Sequence, residues 1–253
     1  DMAAVRSLNV VVGETNDGGL NDIRARPVTA AAVRQALESA RSGPVAEGSV
    51  GAGTGTELFG WKGGIGTSSR TLPDSLGGWT VGVLVQANYG GVLQVAGAPV
   101  GQALNQYAFQ NAVADADAGK GLADDRGDGS IIIVIATDAP LSDRNLGRLA
   151  SRGMMGLGRT GSSASNGSGD YILAFSTNES VRRAFDAPRH STTELANESM
   201  SAVFQAGVDA VEEAIYNALF MATTVSGNGT TVQAIPLDRV RQVLEAHGIA
   251  PTP

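Results

Sequence analysis

Residues 127–140 read GDGSIIIVIATDAP, and this stretch decides the fold. From Ile131 to Ala136 the run is continuously apolar and mostly β-branched. That is the pattern of a strand covered on both faces rather than of a half-solvated one. Pro140 closes it. Such a strand requires layers above and below, so the expected class is a layered α/β arrangement in which helices cover sheet.

The segments outward from this strand agree. Upstream, Asp115 to Asp128 (DADAGKGLADDRGD) carries five Asp against one Lys and one Arg, the composition of a solvated, mobile loop. Downstream, Leu141 to about Arg159 has Leu146, Leu149, Ala150 and Leu157 on one helical side. The GRTGSSASNGSGD turn region then leads into a strand, YILAFST. A long helix is expected from about Asn197 to Met221, with Met200, Val203, Phe204, Val208, Val211, Ile215 and Leu219 on one face. A short last helix is expected over Asp238 to His247. Nearer the start, LNVVV (residues 8–12) reads as a strand, and Thr29 as the cap of a helix running to about Arg41. WTVGVLVQANYG (residues 79–90) reads as a strand ending in a turn. GVLQVAG after it reads as a second strand, making a hairpin. The glycine-dense stretch from Ser42 to Arg70 leaves no room for a regular helix. No repeat of 20–50 residues is visible, and one domain is the simplest organisation.

Composition excludes several classes. Hydrophobic residues are 42% and charged residues 17% of 253, enough apolar surface for a large core. No apolar run approaches the roughly 18–20 residues of a membrane-spanning helix. The net charge is −7 with no basic stripe, which argues against nucleic acid as a partner. There is no Cys, hence no disulfide, thiolate nucleophile or Cys-based zinc site. Only two histidines occur, His190 and His247. A His-rich metal cluster is therefore out of reach, and a Ser-His-Asp triad has few ways to be built. No charged-then-apolar leader precedes Leu8, and the chain opens on Asp1. It reads as a processed or partial chain, soluble, with the compartment (cytoplasmic or periplasmic) open.

The boundary between acidic loop and buried strand is the most informative site. Ser130 follows Gly129 as the first residue of the most apolar strand. Ser and Gly often merely punctuate a strand start. The functional alternative is an N-terminal nucleophile made by cutting the Gly129–Ser130 bond. With no His or Cys nearby, the new α-amino group of Ser130 could itself be the base, since its reference pKa near 8 suits proton transfer at neutral pH. Gly129 would let the backbone bend for the first attack.

Five blocks in order carry a resemblance: ETNDGGLNDI (residues 14–23), GTELFGWKGGIGTSSR (55–70), VQANYGG (85–91), GDGSIIIVIATDAPL (127–141) and SNGSGDYILAFST (165–177). Together they resemble the self-processing aminopeptidase family of L-aminopeptidase D-Ala-esterase/amidase and the β-peptidyl aminopeptidases, over most of the chain from about Val10 to near Pro236. The resemblance implies a four-layer α-β-β-α sandwich like that of N-terminal-nucleophile hydrolases. It implies a single domain processed into residues 1–129 and 130–253, the two segments staying together, and a homo-oligomer of such αβ units. Relative to the family pattern the upstream segment is short, its first strands being absent. No metal or organic cofactor is implied.

The resemblance also assigns roles. Ser130 matches the nucleophile, and Asn88 matches the amide of an oxyanion hole; read alone, Asn88 before Tyr-Gly is a turn residue. Ser168 and Asp170 match a pair that hydrogen-bonds around the nucleophile's amine, where some members carry Glu in place of Asp170; read alone, the segment is a polar turn. Being i and i+2, the two face one side of a strand. Glu14 matches an acid that faces the free amine of the substrate; alone it would be a solvated turn acid. Gly18 stands where relatives often have an aromatic residue, which implies a different pocket shape.

The implied activity is release of N-terminal amino acids (L-, D-alanyl or β-) from peptides, amides or esters through an acyl-enzyme on Ser130. One alternative is an amidase of the same superfamily acting on pantetheine-type or ω-amino-acid amides. Another is a non-catalytic, uncut scaffold. Lys62 followed by Gly63 breaks the G-x-x-x-x-G-K-[ST] pattern, so the glycine block is not a phosphate loop. Phe59 and Trp61 are expected in the core or a pocket wall, and both histidines away from the chemistry.

Overall fold

The computed structural model describes residues 5–110, 129–183 and 187–250. The acidic stretch 115–128 lies outside the described residues, except that it ends next to Gly129. The β-branched run of the sequence forms the centre of a four-stranded mixed sheet. In chain order its strands follow two short ones, β1 (Glu57–Leu58) and β2 (Trp61–Lys62). They are β3 (Gly64–Thr71), β4 (Thr80–Asn88), β5 (Ser130–Thr137) and β6 (Gly169–Ser176), in the spatial order β3-β4-β5-β6. Antiparallel pairing joins β3 to β4 and β4 to β5, with Asn88 opposite Ser130. β5 and β6 run parallel, with Ser130 opposite Gly169. A parallel pair needs a crossover, and the helix between these strands supplies it.

Five α-helices are described: α1 (Ala30–Glu38), α2 (Val100–Ala103), α3 (Asp143–Arg159), α4 (Met200–Phe220) and α5 (Leu237–Ala246). Helices α3 and α4 cover one face of the sheet. On that face Val81, Val83, Val85 and Ala87 of β4 alternate with solvent-side residues, as do Ile131, Ile133 and Ile135 of β5, and all are buried. Every residue expected on the apolar face of α4, from Met200 to Leu219, is buried. Asp143 in the first turn and Arg159 in the last complement the α3 dipole. Helix α4 approaches β3 so closely that a Cβ on Gly66 would lie 1.9 Å from the Ala214 carbonyl oxygen. Thr29 caps α1 as expected, Oγ1 accepting from the Ala32 N–H at 3.3 Å. The apolar side of α1 is nevertheless wholly exposed.

Among the described residues the opposite sheet face is largely open, so helices cover β5 on one face rather than both as its sequence led one to expect, with Ile132 buried beneath Gly13. Leu84, Tyr171 and Phe175 are exposed there. Gly43, Pro44 and Val45 flank a shallow apolar groove of about 510 Å³ over Leu84, Val134 and Phe175. The layered α/β arrangement is thus present as helices on a mixed sheet. Among the described residues the other two sheets have two strands each, β1-β2 and β7 (Val225–Gly227) with β8 (Thr230–Val232).

Three elements differ from the sequence expectation. Residues 8–12 form no strand and are exposed, with Val11 and Val12 beside the start of β6. GVLQVAG does not make a hairpin with β4, because both edges of β4 are already taken by β3 and β5. It turns away, with the Val92 and Gln94 N–H groups donating to Gly161 and Thr160, and leads into α2. Conversely, β3 (GIGTSSRT) is a full strand that its glycine, serine and threonine content conceals.

Candidate functional site

Three strand ends meet at one level. Asn88 closes β4, Ser130 opens β5, and Gly169 opens β6, each the direct partner of its neighbour. Alternation puts all three on the open side, opposite the helix-covered residues Ala87, Ile131 and Asp170.

The Ser130 hydroxyl donates to the Gly129 carbonyl oxygen at 2.7 Å, across the one peptide bond it would have to attack. The Gly169 N–H lies 3.0 Å from the same carbonyl oxygen and 3.4 Å from Ser130 Oγ. It is a polarising donor for the first and a weak contact for the second. Gly129 is needed here for space, a requirement that the sequence alone does not show. A Cβ on it would fall 2.3 Å from Tyr89 Cα and 2.4 Å from the Asn88 carbonyl oxygen.

Asn88 is held at both ends. Its Oδ1 accepts from the Glu57 N–H at 2.8 Å, and its Nδ2 donates to the Asn16 carbonyl at 3.1 Å. The backbone donor at one end and acceptor at the other settle which atom is oxygen. A primary amide has two N–H donors, so the second one on Nδ2 is left for another acceptor. Asn88 is therefore a strand-terminal amide with a spare donor, not a turn residue. The neighbouring Tyr89 is buried, edge-on to Phe59 at 5.1 Å, with its hydroxyl 2.9 Å from Thr160 Oγ1. Burial pushes its phenol far above the usual range, against the opposing Thr160 hydrogen bond. It stays neutral and does not serve as a base.

Residues 13–16 wrap the end of the sheet. Gly13 lies against Ile132, where a Cβ would come 3.1 Å from Cδ1. Thr15 is buried and accepts from Gln86 Nε2 at 2.8 Å. Asn16 holds Asn88. Between these anchors Glu14 is exposed and lines, together with Ser130, a cleft of about 500 Å³ walled by Val11, Val12, Tyr171 and Leu173. Its two polar side chains of interest are thus a carboxylate and a hydroxyl, in apolar surroundings.

Ser168 and Asp170 flank Gly169, and Ser168 Oγ donates to Asp170 Oδ1 at 2.7 Å. Their bond is to each other rather than to Ser130, whose nitrogen is an amide while it remains linked to Gly129. Strand alternation directs Asp170 to the helix side of β6. His190 and His247 are exposed, with His247 Nδ1 against the Val243 carbonyl. Phe59 and Trp61 are buried in the core. Among the described residues no cluster of three acidic or histidine side chains could hold a metal. Nor is any helix of them long and apolar enough to cross a membrane.

Sequence reading missed one residue beside this site. Lys62 is fully buried, its ammonium donating to three backbone carbonyls, Gly53 at 2.6 Å, Thr56 at 2.7 Å and Gly63 at 2.8 Å. Burial draws its pKa down to about 8, partly countered by the charge of Glu57. Only its place inside a glycine-dense block hinted that a long side chain there would find carbonyls to bind.

The profile of peptidase family S58 matches residues 1–232. The chain is 44% identical over 241 residues to beta-peptidyl aminopeptidase BapA of Sphingosinicella microcystinivorans, covering 94% of this chain and 61% of the relative. Against the beta-peptidyl aminopeptidase BapA of Sphingosinicella xenopeptidilytica it is 41% identical, covering 93% and 60%. Among solved structures it superposes on a Burkholderia sp. beta-aminopeptidase with a TM-score of 0.80 at 42% identity, covering 93% of this chain and 64% of that one. It also superposes on the L-aminopeptidase D-Ala-esterase/amidase of Ochrobactrum anthropi, described as a variant of the Ntn hydrolase fold, with a TM-score of 0.79 at 41% identity, covering 93% and 62%. The chain therefore shares the fold of these enzymes and spans about three fifths of the length of the relatives it matches.

Proposed function

The chain belongs to peptidase family S58, and from that premise we propose that it is the catalytic part of a serine aminopeptidase/amidase that first cuts its own Gly129–Ser130 bond. Ser130 Oγ adds to the Gly129 carbonyl carbon while that carbonyl is polarised by the Gly169 N–H. The C–N bond breaks, an ester links Gly129 to Ser130 Oγ, and the Ser130 nitrogen takes up the proton as a free amine. Water then hydrolyses the ester, leaving a Gly129 carboxylate and an N-terminal Ser130, with residues 1–129 and 130–253 staying associated.

In turnover the Ser130 amine accepts the hydroxyl proton as Oγ attacks the substrate carbonyl. The spare Nδ2–H of Asn88 stabilises the oxyanion. The amine or alcohol leaves with the proton, and water releases the amino acid from the acyl-enzyme. Glu14 binds the ammonium of the substrate by a charge-assisted hydrogen bond. Ser168 and Asp170 meet the Ser130 amine once it is free. The observation that carries this reading is the sharing of one cleft by Ser130 and Glu14. That pairing favours small substrates with a free amine, amides, esters or peptides, over pantetheine-type amides, whose acyl group carries no amine.

The test is an intact-mass spectrum of the full-length protein beside Ser130→Ala, followed by a panel of β-alanyl, D-alanyl and L-aminoacyl anilides. Two fragments, one starting at Ser130, and an uncut mutant support the reading. An uncut, inactive wild type overturns it in favour of a scaffold. Assembly of αβ units into a homo-oligomer, which the family resemblance implies, is read by light scattering on the same material.

A further inference from the structure

Resting on the reading of Asn88 as the oxyanion donor, we propose that Lys62 is a positioning residue for hydrolysis, its ammonium fixing the Thr56–Glu57 peptide whose N–H aims the Asn88 amide. The connection is short and continuous. Lys62 Nζ donates to the Thr56 carbonyl at 2.7 Å; the same peptide plane carries the Glu57 N–H; that N–H donates to Asn88 Oδ1 at 2.8 Å. A cation on the carbonyl polarises the peptide and strengthens its N–H as a donor. With Oδ1 pinned there and Nδ2 on Asn16, the Asn88 side chain has one orientation, and its spare N–H one direction.

The fold itself gives this lysine little reason to be charged. No carboxylate among the described residues contacts its ammonium, and a buried ammonium without an ion pair costs stability that an apolar side chain of similar length would not. Nor are two of its three acceptors dependent on it. The Gly53 carbonyl also accepts from Thr56 Oγ1 at 3.1 Å, and the Thr56 carbonyl from the Gly63 N–H at 3.0 Å. Lys62 therefore adds second bonds to carbonyls already satisfied, on the loop that grips Asn88. Burial lowers its pKa to about 8 while the nearby charge of Glu57 pulls the other way.

The experiment compares full-length wild type, Lys62→Met, Asn88→Ala and the double variant, with Lys62→Gln as a second probe of the position. Rates are taken on the anilide panel and normalised to the processed fraction from intact mass. Lys62→Met is expected to lower kcat about tenfold with KM changed less than about threefold, part of what losing an oxyanion donor costs. In the Asn88→Ala background the same substitution is expected to change kcat less than about twofold, because the two act in series. Lys62→Gln, which keeps a donor, should fall between. Equal losses in both backgrounds, or no loss from a folded Lys62→Met, overturn the inference while leaving the proposed activity standing. Failure of both Lys62 variants to fold also overturns it, since the lysine would then be purely structural. Full activity in Asn88→Ala would instead remove the oxyanion assignment, and the role of Lys62 with it.

Discussion

Glu14 sits on a loop anchored at Gly13, Thr15 and Asn16 yet is itself exposed to the cleft, so its carboxylate is available to a ligand without being needed by the fold. Glu14→Gln keeps the size and removes the charge. A charge-assisted hydrogen bond contributes about 1.5–3 kcal/mol, so kcat/KM for free-amine substrates should fall by roughly ten- to a hundredfold. N-acetylated substrates, which have no ammonium, should be unaffected. An unchanged ratio between free and acetylated anilides would remove Glu14 from substrate binding. Lys62 makes a separate prediction about stability. Its pKa is near 8 in the fold and about 10.5 in the open chain. Between those values the unfolded state binds more protons, so the contribution of this residue to stability rises with pH from about 8 to 10.5. Urea unfolding at pH 7.5 and 10 should show that increment in wild type and its loss in Lys62→Met. Parallel pH trends in the two proteins would sink the prediction.

At the scale of elements, the pairing of β3 with α4 depends on a backbone approach that only glycine permits. A Cβ on Gly66 would meet the Ala214 carbonyl and the Ala218 nitrogen, backbone atoms that cannot swing aside. Gly66→Ala should cost at least the roughly 1–3 kcal/mol of core overpacking, lowering the thermal midpoint by several degrees. Calorimetry would decide, and an unchanged midpoint would mean that α4 shifts freely. The same close contact explains what was legible in the sequence. Strand β5 and helix α4 announce themselves because their own side chains make the core, and apolar periodicity records that directly. Strand β3 does not, since its glycines and hydroxyls are chosen by what α4 and the sheet bring against it. The false hairpin after Gly91 fails for a related reason. Strand propensity marks a run as able to pair, but not whether a strand edge remains for it. Likewise Ser130, Asn88 and Glu14 could be singled out by their motifs, whereas Lys62 and the Asn16 carbonyl enter only through a loop closure that spacing does not reveal.

For the whole molecule, the asymmetry between the two sheet faces sets its solution behaviour. One face is sealed by α3 and α4. The other presents Leu84, Tyr171 and Phe175, with Val11 and Val12 beside Tyr171, all exposed. Contiguous apolar surface of this kind drives association. The first part of the chain gives it little cover, for α1 buries none of its residues and few buried contacts mean low local stability. The 253-residue chain by itself should therefore bind a hydrophobic dye and self-associate as its concentration rises. Backbone amides of residues 30–38 should exchange quickly, while those of β4 and β5 stay protected. Replacing Leu84, Tyr171 and Phe175 together by Thr should keep β-propensity while reducing dye binding and association. Because these side chains stand on the face away from α4, the same triple substitution should leave the unfolding midpoint nearly unchanged. A monomer without dye binding would show that residues 5–45 close over this face in solution. A large fall in the midpoint would show that the open side contributes to the core as much as the helix-covered one.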